Sequence, residues 1–406
     1  MTAARTAHLP PTAVHCPLIT YNRCMSPADL LPPILIQTQP DFDRLAEDLR
    51  LVSRLAVDTE SNSLHAYPER VCLVQLSTND HDYLVDPLAL DSLQSLARQL
   101  ADPSVEKVFH AAEYDLVCLH RDFGFRIQNL FDTRLACRTL GYTRSGLGDV
   151  LTQHFDVHLD KRHQRANWGR RPLPPALLDY ARLDTHYLLP LRELLGQDLE
   201  RSGRAAEARE ECEWLAAQAT VETASEEGFW RIGHARKLPA ERAAVLRELY
   251  LWREAEALRL GRPPFKILSD STLLSLTEAL PTDRRSLGRL PDVPERQRHR
   301  YGDALLEAVA RGRQAPRPSR PSGRSTDEAT LARYQSLRQW RKRLAEARKV
   351  ESDVILPREV MWEIARRAPQ GGEDLSRLMG PLRWRYGRYG QAILEVLATS
   401  PNGSRP

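Results

Sequence analysis

The second half of the chain repeats itself at a constant spacing of 88 residues, the distance from Trp252 to Trp340. Trp252-Arg253 recurs as Trp340-Arg341, and Arg300-Tyr301-Gly302 recurs as Arg388-Tyr389-Gly390. The same spacing relates four more pairs without a gap: Ile267 and Ile355, Leu276 and Ile364, Pro281 and Pro369, and Leu290 and Leu378. Because the apolar spacing is helical throughout this half, the repeat predicts two copies of one helical domain.

The first half has a different pattern, in which short β-type runs come first and helical spacing follows. The predicted strands are residues 55–60, 71–77, 83–86 and 107–110. The predicted helices are residues 42–49, 113–121, 133–140, 147–154 and 175–200. This order predicts a mixed α/β domain in which helices flank one sheet.

These patterns divide the chain into three predicted domains. We expect an α/β domain at 34–203, a first helical domain at 204–312 and a second helical domain at 327–400. Residues 313–326 are rich in Arg, Pro, Ser and Gly and are expected to form a flexible basic linker. Residues 1–33 are expected to be a disordered extension. The alternative for residues 204–240 is that they pack against the α/β domain.

The sequence argues against several classes of protein. No apolar stretch is long enough to span a bilayer. The first thirty residues lack the basic start and apolar core of a signal peptide. The six cysteines contain no C-x-x-C pair, which fits neither a disulfide framework nor a zinc site. We therefore expect no membrane partner, reduced cysteines and a cytoplasmic location.

The net charge of +4 hides an asymmetry between the two parts of the chain. Residues 1–240 carry 26 Lys and Arg against 33 Asp and Glu, a net charge of −7. Residues 241–406 carry 32 Lys and Arg against 21 Asp and Glu, a net charge of +11. An acidic part suits divalent cations, and an arginine-rich part suits a polyanion. The alternative is that the asymmetry is an accident of surface composition.

Asp58 and Glu60 are two residues apart in a predicted strand, so their side chains point to the same face. Two carboxylates held so close raise each other's pKa unless a cation lies between them, and Mg²⁺ or Mn²⁺ takes such oxygen ligands. The alternative is a pair of solvated acids at a strand end.

Two later segments carry further candidate ligands. Asp115 falls in the first turns of a predicted helix, where an acid is also favourable to the helix dipole. Tyr180 and Asp184 are four residues apart and therefore share one face of another predicted helix. Asp184 occupies the inward stripe of that helix, where a carboxylate needs a partner. A cation shared with Asp58 and Glu60 would provide that partner.

Together these segments resemble the 3′→5′ exonucleases named for their four acidic residues, in the tyrosine subtype, and more closely the ribonuclease D family. The motifs that carry this resemblance are Val57-Asp58-Thr59-Glu60, Phe109-His110-Ala111, Phe131-Asp132-Thr133, Leu159-Asp160-Lys161, Trp168 with Arg171-Pro172-Leu173, and Tyr180 through Asp184 followed by Tyr187-Leu188-Leu189-Pro190. The two later repeats resemble the HRDC domains of the same family. The resemblance implies a ribonuclease H-like α/β nuclease domain followed by two all-α helical-bundle domains.

The resemblance also implies the roles of individual residues. Asp58, Glu60 and Asp184 would hold one divalent cation. Asp58 would also bridge to a second cation held with Asp115, and Tyr180 would orient the attacking water. The expected cofactors are therefore two ions of Mg²⁺ or Mn²⁺, which acidify a water and stabilise the charge on the reacting phosphate. The expected reaction trims the 3′ ends of structured RNA, such as tRNA precursors, and releases 5′-nucleoside monophosphates.

Two other functions stay open. A 3′→5′ exonuclease that acts on single-stranded DNA in repair would use the same carboxylates, and it differs by not requiring the 2′-OH that only RNA offers. A non-catalytic RNA-binding protein is the second alternative. The presence of all four carboxylates and the tyrosine argues against it.

Seven further residues are predicted to contact the substrate: His110, Lys161, Arg165, Trp168, Arg383, Arg385 and Arg388. Those between 161 and 168 lie in a loop before the last nuclease helix, where they would bind a phosphate or stack on a base. The three arginines from 383 to 388 alternate with aromatic residues, as an RNA-binding face requires. The alternatives are a structural role for His110 and a solvated helix face for the arginines. Trp252 and Trp340 are predicted to belong to the cores of the repeats.

Overall fold

The computed structural model describes residues 30–218, 226–320 and 327–400. It confirms the predicted fold class, because in these ranges a mixed six-stranded sheet flanked by helices is followed by helices only. Most of the predicted extension at 1–33 and part of the predicted linker at 313–326 lie outside these ranges. Within them, no helix combines the length and the apolar character that a membrane crossing requires.

The α/β domain, called the nuclease domain below after its predicted role, contains all six strands of the sheet. The strands are β1 (Ile34–Ile36), β2 (Arg54–Ser61), β3 (Val71–Ser77), β4 (Asp82–Val85), β5 (Glu106–Phe109) and β6 (Leu130–Asp132). Its helices are α1 (Gln39–Asp48), α2 (Gln94–Ala101), α3 (Glu113–Phe123), α4 (Thr133–Leu140), α5 (Leu147–Phe155), α6 (Pro175–His186), α7 (Leu188–Arg201) and α8 (Ala205–Gln218). Short 3₁₀ helices lie at Leu49–Leu51 and Lys161–His163.

The two helical domains follow. The first contains 3₁₀ helices at Glu226–Arg231 and Ala235–Lys237 and helices α9 (Ala240–Leu260), α10 (Pro264–Ile267), α11 (Asp270–Ala279), α12 (Arg284–Gly288) and α13 (Glu295–Gln314). The second contains α14 (Glu328–Arg348), α15 (Ser352–Ile355), α16 (Arg358–Arg367), α17 (Gly372–Met379) and α18 (Arg383–Ala398).

The sheet has the strand order β1-β4-β3-β2-β5-β6, so β2 lies near its middle. β2 pairs antiparallel with β3 and parallel with β5. Leu55 and Val57 of β2 belong to the core on the side of α1, α2 and α3, whereas Ala56 packs on the opposite side with residues of α7. Side chains alternate along a strand, so Asp58 and Glu60 lie on the same side as Ala56.

Four predicted strands are confirmed to within one residue at every end, but β1 and β6 were not predicted. Each of these two has only three residues, too few for a visible alternation. The predicted helix at 175–200 is two helices that meet at Tyr187. Pro190 lacks the N–H that would bond to the carbonyl of His186, which explains the break.

Helix α8 belongs with the nuclease domain and not with the first helical domain. Ala208 and Cys212, both buried, are members of the hydrophobic clusters on the two sides of the sheet. The alternative for residues 204–240 thus fits only α8, since Phe229, Trp230 and Leu238 belong to the core of the first helical domain. Cys212 is also one of four described cysteines, all buried and none in a disulfide.

The two helical domains repeat each other in detail. All five helices of the second domain begin 88 residues after their counterparts, from α9 and α14 to α13 and α18. Trp252 packs edge-on against Tyr301 at 5.3 Å, and Trp340 packs edge-on against Tyr389 at 5.8 Å. Both tryptophans pack against the cores of their domains, as predicted.

Each copy also has an arginine, buried in the first copy and half-buried in the second, that hydrogen-bonds to the backbone after its second helix. Arg253 Nη1 donates to the carbonyl of Leu268 at 3.2 Å, and Arg341 Nη1 donates to that of Leu356 at 2.8 Å. Each of these arginines stabilises its own copy from within. Basic residues of the repeats are therefore not all available to a partner.

The second helical domain docks on the nuclease domain beside α4. Arg138 of α4 pairs with Glu351 at 2.8 Å and with Asp353 at 2.5 Å. The backbones of the two domains are so close here that a Cβ at Gly141 would lie 2.5 Å from the carbonyl oxygen of Lys349. The first helical domain contacts a different part of the nuclease domain, where the Tyr67 hydroxyl donates to Glu254.

Candidate active site

Strand β2 presents two carboxylates to the space under α6. Asp58 is opposite Gln75 and Glu60 is opposite Leu73 in the antiparallel pairing with β3. The side chain of Leu73 packs with Ala181 of α6 in one buried cluster. Because directly opposite residues share a face, Asp58 and Glu60 lie on the face that α6 covers.

Asp115 enters the site from the first turn of α3, and its side chain is buried. The backbone N–H of Thr59 donates to Asp115 Oδ1 at 3.1 Å, and the Thr59 hydroxyl donates to the same oxygen at 2.5 Å. Thr59 lies between Asp58 and Glu60 in the chain. These two hydrogen bonds therefore tie α3 directly to the strand that carries the first two carboxylates.

Helix α6 supplies Tyr180 and Asp184 from above the sheet. Its inner face is fixed because Ala181 is buried and because the hydroxyls of Thr185 and Ser77 hydrogen-bond at 2.8 Å. Asp184 lies between these anchors on the helix and is only partly exposed. The predicted inward position of Asp184 is therefore observed.

Repulsion within the set raises the pKa of three of the four carboxyl groups, as expected for acids that lie near one another. Burial first, and then repulsion by Asp115, Asp184 and Glu60, raises the pKa of Asp58 well above its usual value. Burial, followed by Asp184 and Asp115, raises the pKa of Glu60 to about 9. Burial raises the pKa of Asp115 to about 7, and burial with repulsion by Asp115 raises that of Asp184 to about 7.

This donor set fits a divalent cation. Four carboxyl groups offer oxygen ligands only, which Mg²⁺ and Mn²⁺ prefer, and their mutual repulsion would be relieved by positive charge between them. In the parts of the chain that the structure describes, no three His, Cys, Asp or Glu side chains already stand in a metal-binding arrangement.

The Tyr180 hydroxyl faces the same carboxylates. Burial, followed by repulsion from Asp184, Glu60 and Asp58, raises the pKa of Tyr180 above its usual value. Its ring packs edge-on against His163 at 5.7 Å and lies 6.2 Å from the ring of Trp168. The hydroxyl is therefore protonated at neutral pH and held in place by its neighbours, so it can donate a hydrogen bond and cannot act as a base.

Asp132 is a supporting residue to which sequence reasoning gave no role. Its buried carboxylate caps α4 and accepts from the backbone N–H groups of Arg134 and Leu135 at 2.8 and 3.0 Å. It also accepts from Ala111 and Ala112 at 3.2 and 2.7 Å. Ala111 has a φ of +65°, in the left-handed region that side chains disfavour. Asp132 therefore fixes the strained turn that leads into α3 and positions Asp115.

The predicted substrate contacts in the nuclease domain fall into different environments. His110 hydrogen-bonds Thr133 at 2.9 Å, and burial lowers the pKa of its imidazole to about 4, so the ring is neutral. Arg165 is exposed, and the side chain of Lys161 lies outside what the structure describes. Contacts of these three residues with substrate remain predictions.

Trp168 is a correction to the predicted set. Its side chain is only 1% exposed and belongs to the buried cluster under α6. It cannot stack on a base from this position. Its ring supports Tyr180 instead, and its place in the Gly/Pro-flanked loop gave no sign of that.

Arg385 is a second correction, because it is fully buried in the contact between α18 and α8. Its guanidinium pairs with Glu210 at 2.9 Å and with Glu211, and it donates to the carbonyl of Val354 at 2.9 Å. The predicted contact with RNA is therefore wrong. Arg383 and Arg388 are exposed, and their contact with RNA remains a prediction.

Comparison with known families matches each domain. A family model described as 3′-5′ exonuclease matches residues 33–200, and the HRDC domain model matches residues 242–309 and 330–397. The two HRDC matches begin 88 residues apart, at the spacing of the repeat. The fold and these matches thus define a 3′→5′ exonuclease domain followed by two HRDC domains.

Whole-chain relatives specify the family. A ribonuclease D from Granulibacter bethesdensis is 31% identical over 369 residues, which cover 90% of this chain and 92% of that protein. The crystal structure of Escherichia coli RNase D, described as an exoribonuclease involved in structured RNA processing, matches with a TM-score of 0.73 and 25% identity, covering 92% of this chain and 100% of the other. The chain belongs to the ribonuclease D family of exoribonucleases.

Longer relatives share only part of their length with this chain. The exosome complex exonuclease RRP6 of Saccharomyces cerevisiae is 33% identical over 267 residues, which cover 62% of this chain and 36% of RRP6. The chain spans about a third of the length of the exosome proteins that it matches.

Proposed function

We propose that this protein removes nucleotides one at a time from the 3′ end of RNA, releasing 5′-nucleoside monophosphates, with two divalent cations as cofactors. The observation that carries the proposal is the set of four carboxyl groups from three separate segments, in which repulsion by other members raises the pKa of Asp58, Glu60 and Asp184. Such a cluster is costly to fold unless it binds positive charge. Membership of the ribonuclease D family supports hydrolysis of RNA as its purpose.

The residues divide into cation ligands and a residue that positions water. Asp58, Glu60 and Asp184 would hold the first cation, and Asp58 with Asp115 would hold the second. When bound, Mg²⁺ or Mn²⁺ supplies the Lewis acidity that activates a water and stabilises negative charge on the phosphate. The protonated Tyr180 hydroxyl donates a hydrogen bond that orients the attacking water, and the rings of Trp168 and His163 keep it there.

The proposed substrates are structured RNAs such as tRNA precursors. The related Escherichia coli enzyme is described as acting in structured RNA processing, and the net charge of +11 on residues 241–406 suits a polyanion. The exposed Arg165, Arg383 and Arg388 are the proposed contacts to RNA phosphates. A cytoplasmic location is part of the same proposal.

The experiment uses purified protein on 5′-labelled RNA and DNA strands of one sequence, with Mn²⁺, Mg²⁺ or chelator. We expect one-nucleotide shortening of RNA, with nucleoside monophosphates released only when metal is present. Equal rates on both strands would favour an exonuclease that also acts on single-stranded DNA. Binding of RNA with no shortening under any metal would favour the non-catalytic alternative and overturn the proposal. Asp58→Ala protein controls for contaminating nucleases.

A further inference from the structure

Gln75 of β3 is a fully buried amide without a hydrogen-bond partner. Its side chain is 0% exposed, and neither Oε1 nor Nε2 bonds to any residue in the described ranges 30–218, 226–320 and 327–400. Buried amides are nearly always paired, because removing them from water without a partner opposes folding. An apolar residue such as the neighbouring Leu73 or Leu76 would fill this place without that cost.

Gln75 lies beside the proposed metal ligands. It is directly opposite Asp58 in the antiparallel pair of β2 and β3, so the two side chains share a face and lie next to each other. On that same face, Leu73 packs with Ala181 and Ser77 hydrogen-bonds Thr185. Gln75 is between them in the strand, and is therefore covered by the part of α6 that carries Asp184.

The chemistry of an amide suits a place beneath a carboxylate. It donates an N–H hydrogen bond without carrying charge, whereas a Lys or Arg at the same place would neutralise Asp58 and compete with a cation. Groups that hydrogen-bond to metal ligands fix the orientation of those ligands and raise metal affinity. A donor that is unpaired while the carboxylates repel each other can become paired when they bind an ion.

We propose that Gln75 is a positioning residue for the carboxylate site: its Nε2–H donates to a carboxylate oxygen of Asp58 when Asp58 binds the divalent cation. The hydrogen bond leaves the other oxygen of Asp58 directed at the ion. This inference rests on the proposed function, since it requires that Asp58 is a cation ligand.

The test compares wild-type protein with Gln75→Met, which keeps the length of the side chain and removes the amide. Calorimetric titration with Mn²⁺ alone, without RNA, measures the affinity, and thermal melting in chelator measures the stability of the metal-free protein. We expect Mn²⁺ affinity to fall by about tenfold and the melting temperature in chelator to rise, because an unpaired amide has been replaced by an apolar group. If Gln75 only packed against its neighbours, its replacement would not lower the Mn²⁺ affinity while raising the melting temperature.

A matched control is Trp230→Phe. Trp230 lies in the first helical domain, and its buried Nε1–H also has no hydrogen-bond partner within the described part of the chain. This variant should leave the Mn²⁺ affinity unchanged. Gln75→Leu provides a second apolar variant if Gln75→Met does not fold.

Several outcomes would overturn the inference. Wild-type Mn²⁺ affinity in a folded Gln75→Met or Gln75→Leu protein would show that the amide does not assist the ligands. Lower melting temperatures in both chelator and Mn²⁺, by equal amounts, would assign Gln75 a packing role only. Wild-type protein that binds Mn²⁺ but does not shorten RNA would contradict the proposed function while leaving the role of Gln75 measurable.

Discussion

Arg348 forms a two-pronged ion pair with Glu207, with N–O distances of 2.8 and 2.5 Å. Glu207 belongs to α8 on the nuclease domain and has no exposed side-chain surface, whereas Arg348 ends α14 in the second helical domain. Arg385 of α18 pairs with two more glutamates of α8, Glu210 and Glu211. Helix α8 is therefore the structural link between the two domains. The second helical domain is therefore fastened to the nuclease domain by buried charge.

Removing one partner of this ion pair should be costly. We expect Arg348→Met to lower the free energy of unfolding by about 3 kcal/mol, because Glu207 would remain buried and charged without its partner. Arg377→Met is the control, since Arg377 is 75% exposed beside Glu373 and its pairs should contribute less than about 1 kcal/mol. Urea denaturation measures both. Equal losses in the two variants would show that the interdomain pair does not hold the domains together.

The carboxylate cluster gives the metal-free protein a distinctive dependence on pH. The pKa of Asp184 is raised to about 7 from 3.8 and that of Glu60 to about 9 from 4.5, first by burial. The folded protein then binds protons more tightly than the unfolded chain, so this contribution to stability is complete below about pH 4. It is lost as the pH rises through 7 and 9.

Melting in chelator between pH 5 and 9 tests this dependence, at values chosen from the same pKa shifts. We expect the melting temperature of wild-type protein to fall with rising pH over this range, and the fall to be smaller in Asp58→Asn, which removes one repelling charge. Added Mn²⁺ should oppose the fall. The same slope for both proteins in chelator would mean that the carboxyl groups do not share one site.

Substitution of the carboxylates should separate ligands from structural acids. We expect Asp58→Ala, Glu60→Ala, Asp115→Ala and Asp184→Ala each to remove most activity while circular dichroism shows a retained fold, since each takes a ligand from the cations. Asp132→Ala is the contrasting variant, because four backbone N–H groups lose their acceptor. It should lower stability by about 1–3 kcal/mol or more. Full activity of Asp58→Ala, Glu60→Ala or Asp184→Ala at saturating Mn²⁺ would show that the first cation site is assigned incorrectly.

Tyr180→Phe keeps the ring and its packing on Trp168 but deletes the hydroxyl. Turnover should fall on the order of 100-fold, because the water loses the group that orients it, while the Kd for RNA should not change. Single-turnover cleavage and binding to uncleavable RNA measure the two quantities. Unchanged turnover would make Tyr180 a structural residue.

The exposed arginines of α18 predict a signature in the salt dependence of RNA binding. Replacing Arg383 and Arg388 with alanine, in an Asp58→Ala background that prevents cleavage, should weaken binding. It should also reduce the slope of log affinity against log salt by about 0.7 for each RNA phosphate that the protein no longer binds. An Arg366→Ala variant in the same background is the control, since Arg366 is paired with Glu363. Equal slopes for all three proteins would show that α18 presents a solvated face.

The placement of the four carboxyl groups on their elements was predictable because it depends on short-range spacing, and the repeat was predictable because its two copies keep one constant spacing. Two residues on a strand and four on a helix fix a shared face wherever the element lies, so Asp58 with Glu60 and Tyr180 with Asp184 were placed correctly on their elements. The convergence of these elements was inferred from family resemblance, and the pKa shifts are the structural observation that supports it.

The errors concern residues whose role is set by distant partners. Arg385 has the spacing of an exposed cation on an amphipathic helix, but Glu210 lies 175 residues earlier in the chain and buries it. Trp168 lies in a loop, which suggested a stacking role, but helix α6 covers its side chain. Asp132 and Gln75 were overlooked because a buried polar group in a strand is distinguished only by what surrounds it.

Arg138 and its two acidic partners explain why the nuclease domain binds the second helical domain, and not the first, beside α4. Glu351 and Asp353 of the second copy bind it, and the corresponding positions of the first copy are Pro263 and Phe265, which carry no charge. Exchanging the two copies in the chain would place a proline and an aromatic ring against a guanidinium. Glu351 and Asp353, together with Arg348 and Arg385, which correspond to Leu260 and Gln297 in the first copy, therefore distinguish the copy that docks beside α4 from its repeat.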